Sequence, residues 1–592
     1  MSAEKLILVE NNEIITNDTD LAKLMNDYFS NLASSLAIKK WPNLQRNEDE
    51  DSVSLAIRKY ENHPSIIKIK SNSISNPIFE FNHILPDELK KQIGKLDSGK
   101  SSSGDIPTRI LKENIDLYLP YLTDCFNAEI NNGSFPDEMK LANVTPVFKK
   151  DDKTDKSNYR PISILSALSK VFERLLCDQL LSFMKEKLSI YLCGYRKGCS
   201  TEDALLRLLE NWRKHLDKKE IVGTILCDLS KAFDTLPHDL IIAKLAAYGL
   251  GHKALSQFSS YLNNRKQRCR VGSAYSEWAE VPIGVPQGSV LGPILFNIFI
   301  NDLFLFITET LICNFADDTS LYANGTTLEY VVEKLEIDIQ NALSWFENNS
   351  LVPNPKKFQM MFLGTRSIQK LCLEINGKTT ISFNEVTLLG ITIDWKLQFN
   401  SHVRNLCKNA RKKCGAIIRL RNKLEIEQKL VLYSSFILSQ FGYCTNVWMF
   451  HGKNVKNEID RIQKRALSAI YNDYRSDFNQ LLQKGSHVTI HQKNLKQLIV
   501  KVYKCLNGES PEILDGIFHK KDNPYDLRIS NLLELPSESN TLTYGVHSFE
   551  FRGSATWNTL PDAFKNCKSS SVLKDCLKSF EIKCSCKLCV LS

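Results

Sequence analysis

The chain has 592 residues, 43% of them hydrophobic and 24% charged, which is ordinary for a folded protein and excludes a largely disordered one. This length is too great for one hydrophobic core, so several domains are expected. The net charge of +9 comes from 76 Lys and Arg against 67 Asp and Glu, and alone it selects no class of partner.

Two segments bear on the compartment. The apolar run at the N-terminus ends before Glu10 and is too short for the core of a signal peptide. The most apolar long window, residues 289–313, is interrupted by Pro293, Asn297 and Asp302, so it predicts a buried helix and not a membrane span. The 17 cysteines lie mostly inside apolar patterns, as reduced thiols do. We therefore expect an intracellular protein of the cytoplasm or nucleus, without a membrane partner.

In chain order, residues 1 to about 75 predict short helices joined by polar linkers. Residues 143–165 alternate β-forming pieces around a charged turn, which predicts a hairpin with basic residues at its tip. A helix, a strand and a helix follow at 168–188, 221–233 and 238–250.

Aspartates stand at the ends of two predicted strands. Asp228 ends the β-forming run "IVGTILCD", and the stretch "CNFADDTSLYA" predicts a buried hairpin that carries Asp317 and Asp318. Between these motifs, a Pro-Gln-Gly turn at 286–288 leads into an apolar helix. Carboxylates brought together by folding need neutralisation, and Mg²⁺ prefers such oxygen ligands. Two ions about 4 Å apart would suit phosphoryl transfer.

The second half of the chain predicts an amphipathic helix at 328–349, strands at "FQMMFLG" and "TLLGITID", and then helices from about 395 to 475. The first of these helices, within 402–429, has apolar residues at helical spacing on one face and a cationic opposite face. That face is either a solvated surface or a contact for phosphates. From residue 544 onward we expect a small unit containing strands, then a helix and a cysteine-rich tail.

A series of motifs in a fixed order resembles the reverse transcriptase of non-LTR (LINE-type, jockey-like) retrotransposons. The series is "NVTPVFKK", "NYRPISIL", "GYRKGCSTEDALL", "CDLSKAFDTLPHDLIIAKL", "GVPQGSVLGPILFNIFINDL", "FADDTSLY", "NPKKFQMMFLG" and "LLGITIDWKL". The resemblance covers residues 80–475 most strongly. It implies an α+β right-hand polymerase with an antiparallel-sheet palm, mixed fingers and a helical thumb. The expected domains are an N-terminal extension or linker (1–79), fingers and palm (80–394), the thumb (395–475) and a C-terminal region (476–592).

The resemblance also implies roles for particular residues. Metal ligands and catalytic carboxylates would be Asp228, Asp317 and Asp318. Lys357 would protonate the departing pyrophosphate, although the neighbouring Lys356 leaves the register open by one and Phe358 replaces a frequent Thr. Phe233 would be a steric gate against ribose, with a core aromatic as the alternative. The remaining nucleotide contacts would be Lys149, Arg160, Gln287 and Gly288, and the nucleic-acid contacts Arg404, Lys408, Arg411 and Lys412.

The function that follows is an RNA-directed DNA polymerase that uses two Mg²⁺ ions, or Mn²⁺ in their place. Its partners would be an RNA template, a DNA or RNA primer and dNTPs. The alternatives are a catalytically silent remnant that still binds nucleic acid and a polymerase of the intron-maturase or telomerase type. We expect no N-terminal endonuclease, because about 80 residues without a His/Asp/Glu constellation precede the fingers.

Two C-terminal patterns suggest other chemistry. Pro561, Asp562 and Asp575 have the spacing of a restriction-like nuclease, but Leu560 stands where a basic residue is expected and no zinc knuckle precedes it. The tail cysteines Cys584, Cys586 and Cys589 could hold Zn²⁺ only if Cys576 folded back. A tail without metal is the favoured interpretation.

Overall fold

The computed structural model describes residues 6–36, 41, 47–72, 78–99, 102–103, 106–364, 371–375, 377–450, 453–521, 532–536 and 544–583. Within these ranges the helices are α1 (Asp18–Leu36), α2 (Ser52–Lys59), α3 (Pro64–Asn72), α4 (Pro86–Gly94), α5 (Thr108–Glu113), α6 (Ile115–Asn132), α7 (Ala167–Met184), α8 (Thr201–Asp217), α9 (His238–Ala247), α10 (His252–Leu262), α11 (Leu291–Ile300), α12 (Leu328–Asn348), α13 (Asn400–Leu420), α14 (Ile426–Leu432), α15 (Thr445–Trp448), α16 (Lys453–Tyr471), α17 (Phe478–Lys484), α18 (Ile490–Leu506), α19 (Phe549–Asn558), α20 (Asp562–Lys565) and α21 (Ser570–Leu577).

The strands of the same ranges are β1 (Leu8–Glu10), β2 (Glu13–Ile15), β3 (Leu141–Phe148), β4 (Tyr159–Ile164), β5 (Ile221–Cys227), β6 (Lys266–Val271), β7 (Ala274–Tyr275), β8 (Ala279–Glu280), β9 (Leu311–Phe315), β10 (Asp318–Gly325), β11 (Gln359–Leu363), β12 (Cys372–Ile375), β13 (Lys378–Ile381), β14 (Glu385–Leu388) and β15 (Ile391–Asp394). Helices and mainly antiparallel sheets occur together, so the predicted α+β class is confirmed.

The chain divides into two compact units that alternate along the sequence. Unit 1 contains Met1–Tyr195, Asp228–Thr308 and Gln340–Asn354. Unit 2 contains Arg196–Cys227, Glu309–Ile339 and Pro355–Ser592. Neither unit is a continuous stretch of chain.

Unit 1 is built around a sheet with strand order β4-β3-β6-β7, in which β8 also pairs with β6. The predicted basic hairpin is confirmed as β3 and β4, which pair antiparallel. One face of α1 buries Leu21, Met25 and Phe29 against Val144 and Tyr159 of this hairpin. The N-terminal segment therefore belongs to the core of unit 1, although its sequence shows only short helices and linkers.

The predicted helices of unit 1 also form. The helix-strand-helix prediction is confirmed by α7, β5 and α9, with β5 belonging to unit 2. The apolar window that begins at residue 289 forms α11, in which nearly every side chain is buried. Since α11 packs against α7 and α9, its apolar run is explained by burial on all sides.

Unit 2 contains an antiparallel sheet with strand order β11-β5-β10-β9. The hairpin predicted around the paired aspartates is confirmed as β9 and β10. The first half of α12 packs so closely on this sheet that a Cβ atom on Gly223 of β5 would lie 2.7 Å from Val331 and 2.8 Å from Leu335. Glycine at this position lets the helix approach the strand.

The rest of unit 2 is mainly helical, as predicted for 395–475, and begins with α13 packed on α16. Two predictions were wrong. The segment "TLLGITID" is not one strand, because it turns at Leu389 and Gly390, whose φ angles of 49° and 79° join β14 to β15. Residues 544–583 contain helices where we expected strands, and the cysteine tail from Cys584 onward lies outside the described residues.

In the part of the chain that the structure describes, no helix combines the length and the apolar character that crossing a membrane requires.

Candidate active site

The paired aspartates lie at the turn of the β9–β10 hairpin in unit 2. Phe315 pairs with Asp318, so Ala316 and Asp317 form a two-residue turn. Ala316 has a φ of 59°, a value that favours glycine in such turns. The Asp317 side chain is half-buried and that of Asp318 is exposed. A strained residue thus presents two adjacent carboxylates at the end of the hairpin.

Asp228 follows β5 directly and belongs to unit 1. Its carbonyl oxygen accepts a hydrogen bond from the amide of Asn354 at 2.9 Å, and the amide of Ser230 donates to the carbonyl of Val352 at 2.9 Å. These bonds hold the backbone around Asp228 along residues 352–354. The position of its half-buried carboxylate is therefore fixed by an extended backbone and not by a loose loop.

Backbone hydrogen bonds hold the Pro-Gln-Gly loop on two sides within unit 1. The amide of Ser163 on β4 donates to the carbonyl of Gln287 at 2.8 Å, and the amide of Val285 donates to the carbonyl of Phe233 at 2.9 Å. Gly288 has a φ of 124°, and a Cβ atom there would lie 2.5 Å from the carbonyl oxygen of Ser163. Only glycine fits this position, so the expected role of Gly288 is at least partly one of backbone geometry.

Asp234 holds the side chain of Gln287. The Gln287 amide nitrogen Nε2 lies 2.8 Å from Oδ1 and 3.0 Å from Oδ2 of Asp234. Burial raises the pKa of Asp234 to about 6, against the opposing effects of Gln287 and Lys231. With its amide group held by Asp234, Gln287 keeps its own oxygen Oε1 in a set direction. Phe29 and Ser30 of α1 line the small cavity beside this pair.

The sequence analysis missed Asp234. It follows Phe233 in "AFD", and a carboxylate beside an aromatic residue at a buried turn was the available indication. The residue that it binds lies 53 positions later in the chain, so only the fold shows the pairing.

Phe233 packs among aromatic rings. Its ring stacks on that of Phe296, with centroids 4.5 Å apart and planes at 16°, and meets the ring of Tyr195 edge-on at 5.7 Å. One face of Phe233 is therefore occupied by Phe296, while the side chain as a whole is only half-buried. This arrangement suits either a core aromatic or a ring with one face left for a ligand.

Lys149 and Arg160 lie at the same end of the β3–β4 hairpin. Arg160 pairs with Val147, and Lys149 lies two residues after Val147 along the chain. The side chains of Val147, Lys149 and Arg160 therefore lie on one face of the hairpin. Both basic side chains are exposed. Tyr159 lies on the opposite face, where it packs into the core with α1. The hairpin thus joins a buried apolar face to a cationic one, as the sequence predicts.

Lys356 and Lys357 are both exposed in a short 3₁₀ helix before β11 of unit 2. Phe358 is 3% exposed and forms part of the core of the unit. Phe358 therefore packs in the core and does not face the candidate site as a polar group. The choice between the two lysines stays open.

The four basic residues assigned to α13 are all exposed, and the buried face includes Val403, Cys407 and Ala410. The predicted amphipathic helix is therefore confirmed. Arg411 differs from the others because its guanidinium forms an ion pair with Glu458 on α16. Part of its charge is neutralised within the protein.

The two carboxylates with the spacing of a restriction-like nuclease, Asp562 and Asp575, both form ion pairs, and the tail cysteines lie outside the described residues. Asp562 pairs with Lys565 at 3.3 Å, and Asp575 pairs with Lys578 at 2.8 Å. Each carboxylate has a neighbouring lysine from its own segment. Within the ranges that the structure describes, no group of three or more His, Cys, Asp and Glu side chains is close enough to hold a metal ion.

Comparison with known proteins covers the centre of the chain. Residues 148–393 match the family model described as reverse transcriptase (RNA-dependent DNA polymerase). The RNA-directed DNA polymerase from mobile element jockey of Drosophila melanogaster is 28% identical over 406 residues, which are 65% of this chain and 43% of that protein. The jockey polymerase of Drosophila funebris is 26% identical over 398 residues, which are 65% of this chain and 43% of that protein.

A protein from a different retrotransposable element is also similar to this chain. The retrovirus-related Pol polyprotein from type-1 retrotransposable element R1 of Bradysia coprophila is 27% identical over 325 residues, 53% of this chain and 32% of that protein. The chain spans less than half the length of these relatives. Every candidate residue from Lys149 to Lys357 falls inside the matched family region, whereas α13 and the helices after it fall outside.

Proposed function

Because residues 148–393 form a reverse transcriptase domain of the kind found in non-LTR retrotransposons, we propose that this chain is an RNA-directed DNA polymerase. It extends the 3′-hydroxyl of a DNA or RNA primer with dNTPs along an RNA template and releases pyrophosphate. In this proposal the sheet β11-β5-β10-β9 is the palm, the β3–β4 hairpin belongs to the fingers, and the helices from α13 to α16 form the thumb.

The strand register of the palm sheet carries the proposal. Cys227, the last residue of β5, pairs with Thr319 of β10. Thr319 directly follows Asp317 and Asp318, so this register holds the end of β5 beside the turn that carries both carboxylates. The adjacent carboxylates of Asp317 and Asp318 repel each other, and a bound cation would relieve that repulsion.

The donor set suits a hard divalent cation. Asp228, Asp317 and Asp318 do not form a ready-made metal-binding group in the described residues, so we propose that cations assemble it: Asp317 and Asp318 are adjacent on their hairpin, and Asp228 would add a third carboxylate of the kind that Mg²⁺ and Mn²⁺ prefer. Two bound ions would stabilise the charge on the attacking and leaving oxygens during phosphoryl transfer. The half-buried Asp317 and the exposed Asp318 leave one side of the site open for the triphosphate and the primer.

The remaining residues bind and orient the substrates. Lys149 and Arg160, on one exposed face of their hairpin, donate charge-assisted hydrogen bonds to the triphosphate. Gln287, held by Asp234, positions the nucleotide against the template. Lys357 donates a proton to the departing pyrophosphate, with the equally exposed Lys356 as the alternative donor.

Primer extension on a homopolymer RNA template tests the proposal. The wild-type chain should extend a DNA primer in the presence of Mg²⁺, and Asp317→Asn should lower the rate by ~10³-fold or more, since phosphoryl transfer loses an anionic ligand of its cations. Binding of primed template should persist in that variant. The matched control is Asp116→Asn, which removes an exposed carboxylate from the surface ion pair with Lys90 and should leave extension unchanged.

Two results would contradict the proposal. Extension by Asp317→Asn at the wild-type rate would remove Asp317 from the site. A wild-type chain that binds primed RNA but extends it with neither Mg²⁺ nor Mn²⁺ would be the silent, nucleic-acid-binding form.

A further inference from the structure

A cationic cavity lies in the C-terminal helices of unit 2, outside the matched family region. Its volume is about 510 Å³, and α18 and α21 form its main walls. Six lysines line it: Lys493, Lys496, Lys501, Lys504, Lys574 and Lys578. We call this cavity the lysine groove.

The lysines of α18 recur at helical spacing. Lys493, Lys496, Lys501 and Lys504 occupy one side of the helix. Leu495, Leu498, Ile499 and Val502 on the other side are buried. From Lys493 to Lys504 the stripe extends ~16 Å, at a rise of ~1.5 Å per residue. An ordinary solvated face would not have a second cationic wall opposite it, as α21 provides here.

The second wall is tied to the first by hydrogen bonds. The Lys496 ammonium donates to the carbonyl of Lys578 at 2.8 Å. Gln492 donates to the carbonyl of Ile582 at 2.9 Å and accepts from its amide at 3.1 Å. The groove is therefore preformed, so that a ligand need not order it on binding.

The carboxylates near the groove neutralise only part of its charge. Lys501 forms an ion pair with Asp203, and Lys578 pairs with Asp575. Glu202 also lines the cavity, but burial raises its pKa and so favours its neutral form. Burial lowers the pKa of Lys493 and Lys496, and the nearby carboxylate of Glu581 opposes this shift at Lys496.

We propose that the lysine groove binds the phosphate backbone of the RNA strand outside the polymerase domain. The proposal rests on the proposed function, which supplies RNA as the partner. A stripe ~16 Å long matches several consecutive phosphates of one strand, since phosphates of a stacked strand repeat about every 3.4 Å. Lysines hold phosphates as point charges and read no sequence, so the groove retains RNA of any sequence.

The test is binding of fluorescein-labelled poly(U) RNA by fluorescence anisotropy over a range of salt concentrations. The Lys493→Gln/Lys504→Gln variant should bind more weakly and flatten the slope of log K against log salt by ~1.4, because two phosphate contacts release ~0.7 counterion each on a single strand. Lys574→Gln should flatten it by about half as much. The control, Lys218→Gln/Lys219→Gln, removes the same charge from an exposed loop after α8 and should leave the slope unchanged.

Extension of a primer on a template just long enough to fill the active site should be equal in the groove variants and the wild type. Melting by circular dichroism confirms that each variant folds. An unchanged salt slope in folded groove variants would overturn the proposal. The proposal would also be overturned if the groove variants lost binding to polyglutamate while their binding to RNA stayed intact. The groove would then be a docking site for an acidic protein. Failure of the wild-type chain to extend any primer would contradict the proposed function alone, because binding is measured separately.

Discussion

Asp234 is a carboxylate whose burial has a consequence for stability. Its pKa of about 6 lies above its ordinary value of 3.8, so the folded protein holds its proton more tightly than the unfolded chain does. The favourable contribution of the protonated group is fully present below pH 3.8 and is lost as the pH rises through about 6.

The corresponding prediction compares the wild type with Asp234→Asn. Between pH 4 and pH 6, the wild type should lose ~1–3 kcal/mol of unfolding free energy relative to the variant, because Asn does not titrate. Urea unfolding at a series of pH values measures this difference. The surface variant Asp116→Asn is the control, because it shows how the unfolding free energy depends on pH when an exposed carboxylate is removed instead. Parallel stability curves for the wild type and Asp234→Asn would show that Asp234 titrates normally.

A substitution at Phe233 distinguishes a role in sugar selection from a role in core packing. If its exposed side meets the sugar, Phe233→Val should raise incorporation of ribonucleotides relative to deoxynucleotides by ~10–1000-fold, which corresponds to a clash of ~1.4–4 kcal/mol. The ratio of the two sugars is measured in primer extension, together with the melting temperature.

The control for this experiment is Phe296→Val. Phe296 is wholly buried and stacks on Phe233, so its truncation opens a cavity and lowers stability without reaching the sugar. If both variants lose stability and neither changes the sugar ratio, Phe233 is a core residue.

Residue types and spacing were enough to predict the aspartates on the β9–β10 hairpin, the basic residues on the β3–β4 hairpin and the exposed lysines before β11. They could not find the bond between Asp234 and Gln287 or the stacking of Phe233 on Phe296, because each joins residues more than 50 positions apart. Burial decides the chemistry of both, and burial is a property of the fold.

Among the secondary-structure elements, α13 has a cationic face that is not uniform. Arg411 is held by Glu458, whereas Arg404, Lys408 and Lys412 are exposed on the same helix. An exposed ion pair contributes only ~0–1 kcal/mol to stability, but it must be broken before its arginine can bind a phosphate. Arg411 should therefore contribute less to binding than its position suggests.

We predict that Lys408→Gln/Lys412→Gln weakens binding of primed template and flattens its salt slope by ~1.4–1.8, the value for two phosphate contacts. Arg411→Gln should flatten it by less than half of that. Titrations of binding at several salt concentrations measure both slopes. A full effect of Arg411→Gln, with none from the lysine pair, would reverse this assignment.

Periodicity predicted the long elements well and the short turns poorly. The helices α12 and α13 follow their apolar spacing closely. The turn between β14 and β15 was missed because Leu389 adopts a positive φ, which its sequence does not indicate. The strands expected after residue 544 were wrong, since aromatic residues in "YGVHSFEF" favour strands locally but pack here as a helix.

For the whole molecule, the motifs predicted the match to the reverse transcriptase family model and the α+β class. That match depends on the order of motifs along the chain, whereas the two units depend on which segments pack together. The N-terminal helix α1 illustrates the difference. Its sequence shows no motif, yet it completes the core under the β3–β4 hairpin.

The alternation of the two units along the chain has a consequence for biosynthesis. The chain passes from one unit to the other after Tyr195, Cys227, Thr308, Ile339 and Asn354. A ribosome that makes the protein from its N-terminus completes unit 1 only when Asn354 has emerged. By then unit 2 has only two of its three segments. A chain that ends before Asn354 therefore lacks segments of both units, and the long-range contacts of each unit can form only after its last segment has been made.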